Sequence, residues 1–295
     1  MEAIAQERRR FVGLDGFSLK VFALLVMTMD HLAAYLPAGA GIPAWFHLVG
    51  RFAAPLFVFL CAEGIFYTHS RRRYMLRLYI GWVLMTLGNY LVSLYFAHPD
   101  GVILTNGMFG TLLLVVLTVS SIESLRAGRR AQSARQIWLG IAGLAYLVVS
   151  AALQIGIYLG LTSLVDPVTG TLTDSALLPV AQRLAQATSL LLPNLVTVEG
   201  SFLFVALGVA LYYLRRWRLA QIGALAVLCL IQLFAAPAEW LVDVFIFLTA
   251  VPMCLYNGKP GEKRHKSLFY WYYPAHVYAI YVLGYVLMVH LGVGW

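Results

Sequence analysis

Apolar stretches of about 20 residues recur nine times along this chain, each close to the length a helix needs to cross a bilayer's hydrocarbon core. A backbone segment in hydrocarbon must satisfy its own polar groups, and a helix does so within one segment. The chain therefore reads as an all-α polytopic membrane protein, with spans expected at 17–36, 45–68, 75–97, 103–124, 137–160, 195–214, 219–236, 239–256 and 268–291. Composition excludes a soluble domain: 61% of residues are hydrophobic and 12% charged, where a soluble domain carries about a quarter charged. We expect a single transmembrane domain over 1–295, with a short leading segment at 1–16 and one long connector at 161–194. The first apolar stretch is long and lacks a small-residue cleavage site, so it reads as a retained span.

Charge placement orients the chain. Arg8–Arg10 precede the first span, Arg71–Arg73 and Arg77 follow the second, and Arg126, Arg129, Arg130 and Arg135 follow the fourth. Arg215, Arg216 and Arg218 follow the sixth, and Lys259, Lys263, Arg264 and Lys266 the eighth. The alternate connectors (37–44, 98–102, 161–194 and the turn at Pro237) hold one basic residue, Arg183. Lysine and arginine concentrate on the cytoplasmic side of membrane proteins, which predicts a cytoplasmic N-terminus, an external C-terminus and an external 161–194 loop. The net charge of +8 then serves topology and gives no reason to invoke nucleic acid. In the external loop Asp166–Gly170 reads as a turn, and Leu177–Leu192 is apolar enough to lie in the interface or dip back into the membrane. Cys61, Cys229 and Cys254 lie within apolar runs without paired spacing, so neither a disulfide framework nor a zinc site is expected.

Ionisable side chains within spans are costly, so each is a candidate for function. The first span carries Lys20 near its start and Asp30-His31 past its middle. Lys20 and His31 return to nearly one helix face after eleven residues, roughly 16 Å apart. The second span places His47 and Arg51 on one face, with Asp30 as the expected partner of Arg51, and adds Glu63 about 18 Å deeper. Pro55 permits a kink between them. The segment His69-Ser70-Arg71-Arg72-Arg73 closes that span; its arginines satisfy the topology rule and also suit phosphate. Later come Glu199, Asp243, and Tyr273 with His276 one turn on. Gln154 and Gln232 read as helix–helix hydrogen bonds, and His290 as interfacial.

The familiar catalytic motifs are missing. The sequence contains no HExxH pair, no phosphate loop and no Gly-x-Ser-x-Gly elbow. What remains is a buried Asp-His step facing His47 and Arg51, suited to general-base chemistry near neutral pH.

The blocks Leu19-Lys20…Met29-Asp30-His31, Gly50-Arg51-Phe52-Ala53-Ala54-Pro55-Leu56-Phe57-Val58-Phe59, Glu63-Gly64 and Tyr256-Asn257-Gly258…Tyr273-Pro274-Ala275-His276 resemble the TraX family of integral membrane proteins. The likeness runs from about residue 14 to 290. Its members are regarded as N-acetyltransferases, named for acetylation of a conjugative pilin's N-terminus. A more distant likeness is to type-3 membrane acyltransferases, which carry a basic residue, ten intervening residues and an essential histidine; Lys20 and His31 keep that spacing, with lysine in place of arginine. The resemblance implies an acyl-CoA-dependent transferase in a bacterial cytoplasmic membrane, with acetyl-CoA or another acyl-CoA as co-substrate and no metal. His31 would act as base beside Asp30, and His47, Arg51 and Glu63 would contact substrate or oxyanion. Lys20, His69, Arg71, Arg72, Arg73, Tyr273 and His276 would serve the CoA. This puts an outer ensemble (Asp30, His31, His47, Arg51) apart from an inner one (Glu63, His69, Arg71–Arg73, Tyr273, His276).

The acceptor, whether a peptide N-terminus, a glycan or a small amine, leaves no readable motif. Direct transfer and an acyl-histidine intermediate both fit. Two other classes compete: a proton-coupled small-solute transporter relaying through Asp30, His31 and Glu63, and a non-catalytic pilus or envelope assembly factor. The transporter reading lacks the internal repeats common in that class.

Overall fold

The structure, a computed structural model, describes residues 13–104, 106–163, 184, 185, 187, 188, 190–261 and 268–294. Among them eight helices are long and apolar enough to cross a membrane, and a ninth apolar helix is shorter. Arg8–Arg10, Asp166–Gly170, Arg183, Lys263, Arg264 and Lys266 lie outside the described residues, as does most of Leu177–Leu192. Where the sequence reads as one domain, the contacts group the chain into two compact units, each built from separated segments.

The first unit comprises 1–68, 89–105 and 210–295. Helix α1 (Gly16–Tyr35) opens on Asp15, whose Oδ1 accepts from the Ser18 N–H at 2.8 Å, and ends where Leu36 turns extended ahead of Pro37. The second span is two helices, α2 (Trp45–Gly50) and α3 (Ala53–Tyr67). The cause is Pro55. It has no N–H to give the Arg51 carbonyl, so the chain tightens to i→i−3 bonds, Arg51 N to Leu48 O at 3.1 Å and Phe52 N to Val49 O at 3.2 Å. The proline then sits in the first turn of α3, where amide donors have no helical partner to lose.

The eighth span repeats the device. Pro252 occupies the first turn of a second short helix, and Thr249 N bonds Ile246 O at 3.1 Å.

The second unit comprises 69–88 and 106–209. Helix α4 (Arg71–Tyr95) begins in it, so Arg71–Arg73 form a first helical turn rather than a connector. Helix α5 (Met108–Ala131) starts five residues later than expected and extends through Arg126, Arg129 and Arg130. It reverses at Gln132, in the left-handed region, into α6 (Ala134–Ser163). The α5–α6 pair is close because Gly140 lies against Leu125 and the Ser121 carbonyl, and Gly143 against the Ser121 hydroxyl. The expected span 195–214 is the largest departure: only α7 (Ser201–Tyr213) is helical, preceded by irregular backbone over 192–200. Back in the first unit follow α8 (Arg218–Ala235), α9 (Trp240–Phe247), α10 (Ala250–Leu255) and α11 (Leu268–Val289).

Candidate functional site

Adjacent positions on a helix point about 100° apart, and Asp30 and His31 accordingly serve different neighbours. His31 is buried, and its Nδ1 lies 2.9 Å from Nε2 of His276 on α11. The His276 ring in turn sets Nδ1 2.7 Å from the carbonyl of Tyr272, one turn back. Rings close the pocket: Tyr35 and Tyr273 stack near the His31 imidazole at centroid distances of 5.6 and 6.4 Å, and Tyr272 stacks on His276 at 4.8 Å. Thr28 donates to the Leu24 carbonyl at 2.8 Å, so the Tyr272 hydroxyl, 2.8 Å from Thr28 Oγ1, is the donor there.

These bonds fix the neutral tautomers. A carbonyl only accepts, so His276 Nδ1 carries its proton and His276 Nε2 is the acceptor. His31 Nδ1 must then donate, which leaves His31 Nε2 as a bare lone pair.

Asp30 turns toward the break between α2 and α3. Its Oδ1 is 2.9 Å from His47 Nδ1 and 3.3 Å from Arg51 Nη2, and Arg51 Nη2 also lies 2.6 Å from His47 Nε2. A consistent reading has Arg51 donate to His47 Nε2 and His47 Nδ1 donate to Asp30. Arg51 Nε is buried with no hydrogen-bond partner among the described residues. Gly50 admits this arrangement, because a Cβ there would coincide with the Asp30 side chain. Gly50→Ala should cost about 1–3 kcal/mol, the range for overpacking a tight contact, with the loss read from thermal unfolding in detergent. An unchanged midpoint would show that α1 and α2 part without cost.

Glu63 has a buried carboxylate whose Oε2 accepts from Arg215 Nε at 3.1 Å. Arg215 also donates to the Tyr67 hydroxyl at 2.9 Å and lies 3.7 Å over the Phe66 ring. Tyr67 in turn donates its hydroxyl hydrogen bond to the Gly258 carbonyl at 2.5 Å. The neighbouring Tyr256 is buried at the end of α10.

The two expected ensembles are thus redrawn. Tyr273 and His276 sit with His31 instead of with the arginines, because α11 packs along α1. Glu63 pairs with Arg215, which the sequence offered only as a topology signal. Lys20 is exposed on α1, and His69, Arg72 and Arg73 are exposed within the second unit, where Arg71 is half-buried.

Several contributors have no strong sequence signature. Tyr272 acts through its backbone carbonyl, and Tyr35 could have been found as the residue one turn after His31. His98, read only as part of a connector, is buried; its Nε2 donates to the Tyr281 carbonyl at 2.8 Å. Among the described residues no group of three or more His, Cys, Asp or Glu could hold a metal ion.

A family model described as "TraX protein" matches residues 16–166. The chain is also similar to a probable fimbrial assembly protein FimC, serogroup H1, of Dichelobacter nodosus, 34% identical over 70 residues. That match spans 23% of this chain and 29% of the relative. No solved structure matches.

Proposed function

This chain belongs to the TraX family, and from that premise we propose that it is a multi-pass membrane acyltransferase using acyl-CoA, with His31 Nε2 as general base. The observation that carries the reading is the hydrogen-bonded sequence from the Tyr272 carbonyl through His276 to His31, which turns one unprotonated ring nitrogen outward from the bonded pair. A buried imidazole held in one tautomer is what proton abstraction from an acceptor requires.

In the proposed reaction the acceptor's amine or hydroxyl gives its proton to His31 Nε2 as its heteroatom attacks the thioester carbonyl. The Arg51 Nε–H, the donor left over at the helix break, is assigned to the developing oxyanion. Collapse releases the CoA thiolate, which takes the proton back from the imidazolium. Atoms and charge balance, and no metal is required. Asp30 anchors His47 and Arg51; it does not orient the base. The exposed His69 and Arg73 and the half-buried Arg71 are the candidates for the CoA phosphates, with the N-terminus assigned to the cytoplasm by the charge pattern. The pilin acetylation that the resemblance implies, with the similarity to a probable fimbrial assembly protein, favours a peptide N-terminal amine as acceptor.

The test is incubation of the purified protein with isotopically labelled acetyl-CoA and peptides bearing a free N-terminus, followed by mass analysis. Label on the terminal amine with release of CoA thiol is the expected result. Folded protein that transfers nothing to peptide, glycan or amine acceptors would leave the assembly-factor reading in its place.

A further inference from the structure

Within the second unit, α4, α5, α6 and the backbone at Leu191–Pro193 line an open groove of about 510 Å³. Its wall includes Leu76 and Tyr79 from α4, Leu117 from α5 and Tyr146 from α6. Both lining hydroxyls are turned into the wall: Tyr79 donates to the Leu191 carbonyl at 3.2 Å and Tyr146 to the Pro193 carbonyl at 2.8 Å. What remains facing the space is almost wholly apolar.

The irregular backbone over 192–200 is held there by specific bonds. Buried Asn194 accepts from Val196 N at 3.0 Å and Thr197 N at 3.1 Å and donates to the Leu192 carbonyl at 3.2 Å. Thr111 donates to the Glu199 carbonyl at 2.7 Å. Non-helical backbone at membrane depth is tolerated where it is buried in protein or lines a cavity. The volume of the groove falls in the range of ligand pockets.

Arg72 supplies the second observation. It stands four residues before Leu76 and seven before Tyr79, so 100° per residue returns it to the groove-lining face, about 6 Å nearer the start of α4 than Leu76. Arg71 and Arg73 point about 100° to either side. Arg72 is exposed and has no carboxylate partner among the described residues. We infer that this groove holds one acyl chain of an anionic phospholipid from the surrounding bilayer, with the lipid phosphate on Arg72. An apolar groove with an arginine one turn from it matches an amphiphile of that charge, and basic pockets between transmembrane helices on the cytoplasmic side recognise such headgroups.

The test is native mass spectrometry of the full-length protein exchanged into detergent with phosphatidylglycerol or phosphatidylcholine. The parent should retain one phosphatidylglycerol in preference to phosphatidylcholine. Arg72→Gln should weaken phosphatidylglycerol retention about fivefold, the factor expected from one basic residue at a membrane surface, and should weaken phosphatidylcholine, whose phosphate is offset by its own ammonium, by less. Arg73→Gln, the same charge change off the lining face, should behave as the parent. Leu117→Trp should fill the groove and lose the lipid, and Leu76→Trp, at a more exposed wall position, should do the same if Leu117→Trp fails to fold. Retention indifferent to headgroup, equal loss from Arg72→Gln and Arg73→Gln, lipid held by a folded tryptophan variant, or displacement by excess CoA would each overturn the proposal. The readout involves no acyl transfer, so it stands or falls apart from the catalytic reading.

Discussion

His31→Ala is expected to lower kcat for acyl transfer by about 10²–10⁴, the ordinary contribution of a positioned general base. The KM for acyl-CoA should change little, because the groups assigned to the CoA phosphates lie elsewhere in the sequence. The structure adds a finer expectation at His276. His276→Leu removes the acceptor for His31 Nδ1–H and lets the imidazole adopt either tautomer, so kcat should fall, though less than in His31→Ala. His276→Gln offers an amide oxygen near the position of the lost Nε2 and should restore much of the rate. A side chain that only filled space would be rescued as well by leucine as by glutamine. Initial rates at saturating acyl-CoA, on variants that elute as the parent does in size-exclusion chromatography, decide it. Parent-like transfer by His31→Ala would move the base to His276 or His47.

Arg215→Ala should destabilise the protein by roughly 3–5 kcal/mol, the cost of leaving one member of a buried ion pair alone. The basis is the Glu63 carboxylate, whose side chain is only 5% exposed, against an Arg215 that is 23% exposed. Adding Glu63→Gln to Arg215→Ala should recover most of the loss, since the stranded charge and not the missing contact is the expensive item. Unfolding of the two single variants and the double variant in detergent measures the coupling. A double variant as unstable as Arg215→Ala alone would show that the arginine acts through its stacking on Phe66 instead.

The span count was legible because period and length survive any packing arrangement: a 20-residue apolar run has few alternatives in a membrane. The charged residues of the second span were legible too, since Asp30 and Arg51 needed partners and lay where each could reach the other. Two kinds of information were hidden. Pro55 marked a kink in the second span, but the matching helix break at Leu248–Thr249 went unread; it depends on what Pro252 does to the carbonyl four residues earlier, a local effect that hydropathy averages away. Long-range pairing was the other. His276 was visible as a histidine and Arg215 as a cation, but whether each serves topology, cofactor or a buried partner depends on which helices pack together. Arg215 was the misread residue for that reason: a single arginine satisfies the positive-inside rule and a buried carboxylate equally well. Residues 195–200 were read as the start of a span because Leu195, Val196 and Val198 lead into the apolar run that begins at Phe202.

The pairing of early residues with late ones bears on how the protein is made. His31 is separated from His276 by 245 positions and Glu63 from Arg215 by 152. At the usual 5–20 residues per second of synthesis, His31 waits on the order of 10–50 s for its partner after leaving the ribosome. For the first part of that interval, until Arg215 is made, the first two spans must be held in the bilayer with Glu63 uncompensated, whereas Asp30 gains Arg51 within 21 positions. The nearby pair lets the first spans lodge in the membrane at once. The remote pairs form only after α7 and α11 have been made, so the proposed base at His31 acquires its tautomer only once α11 is in place, and a chain interrupted before α11 would insert without the bond that fixes it.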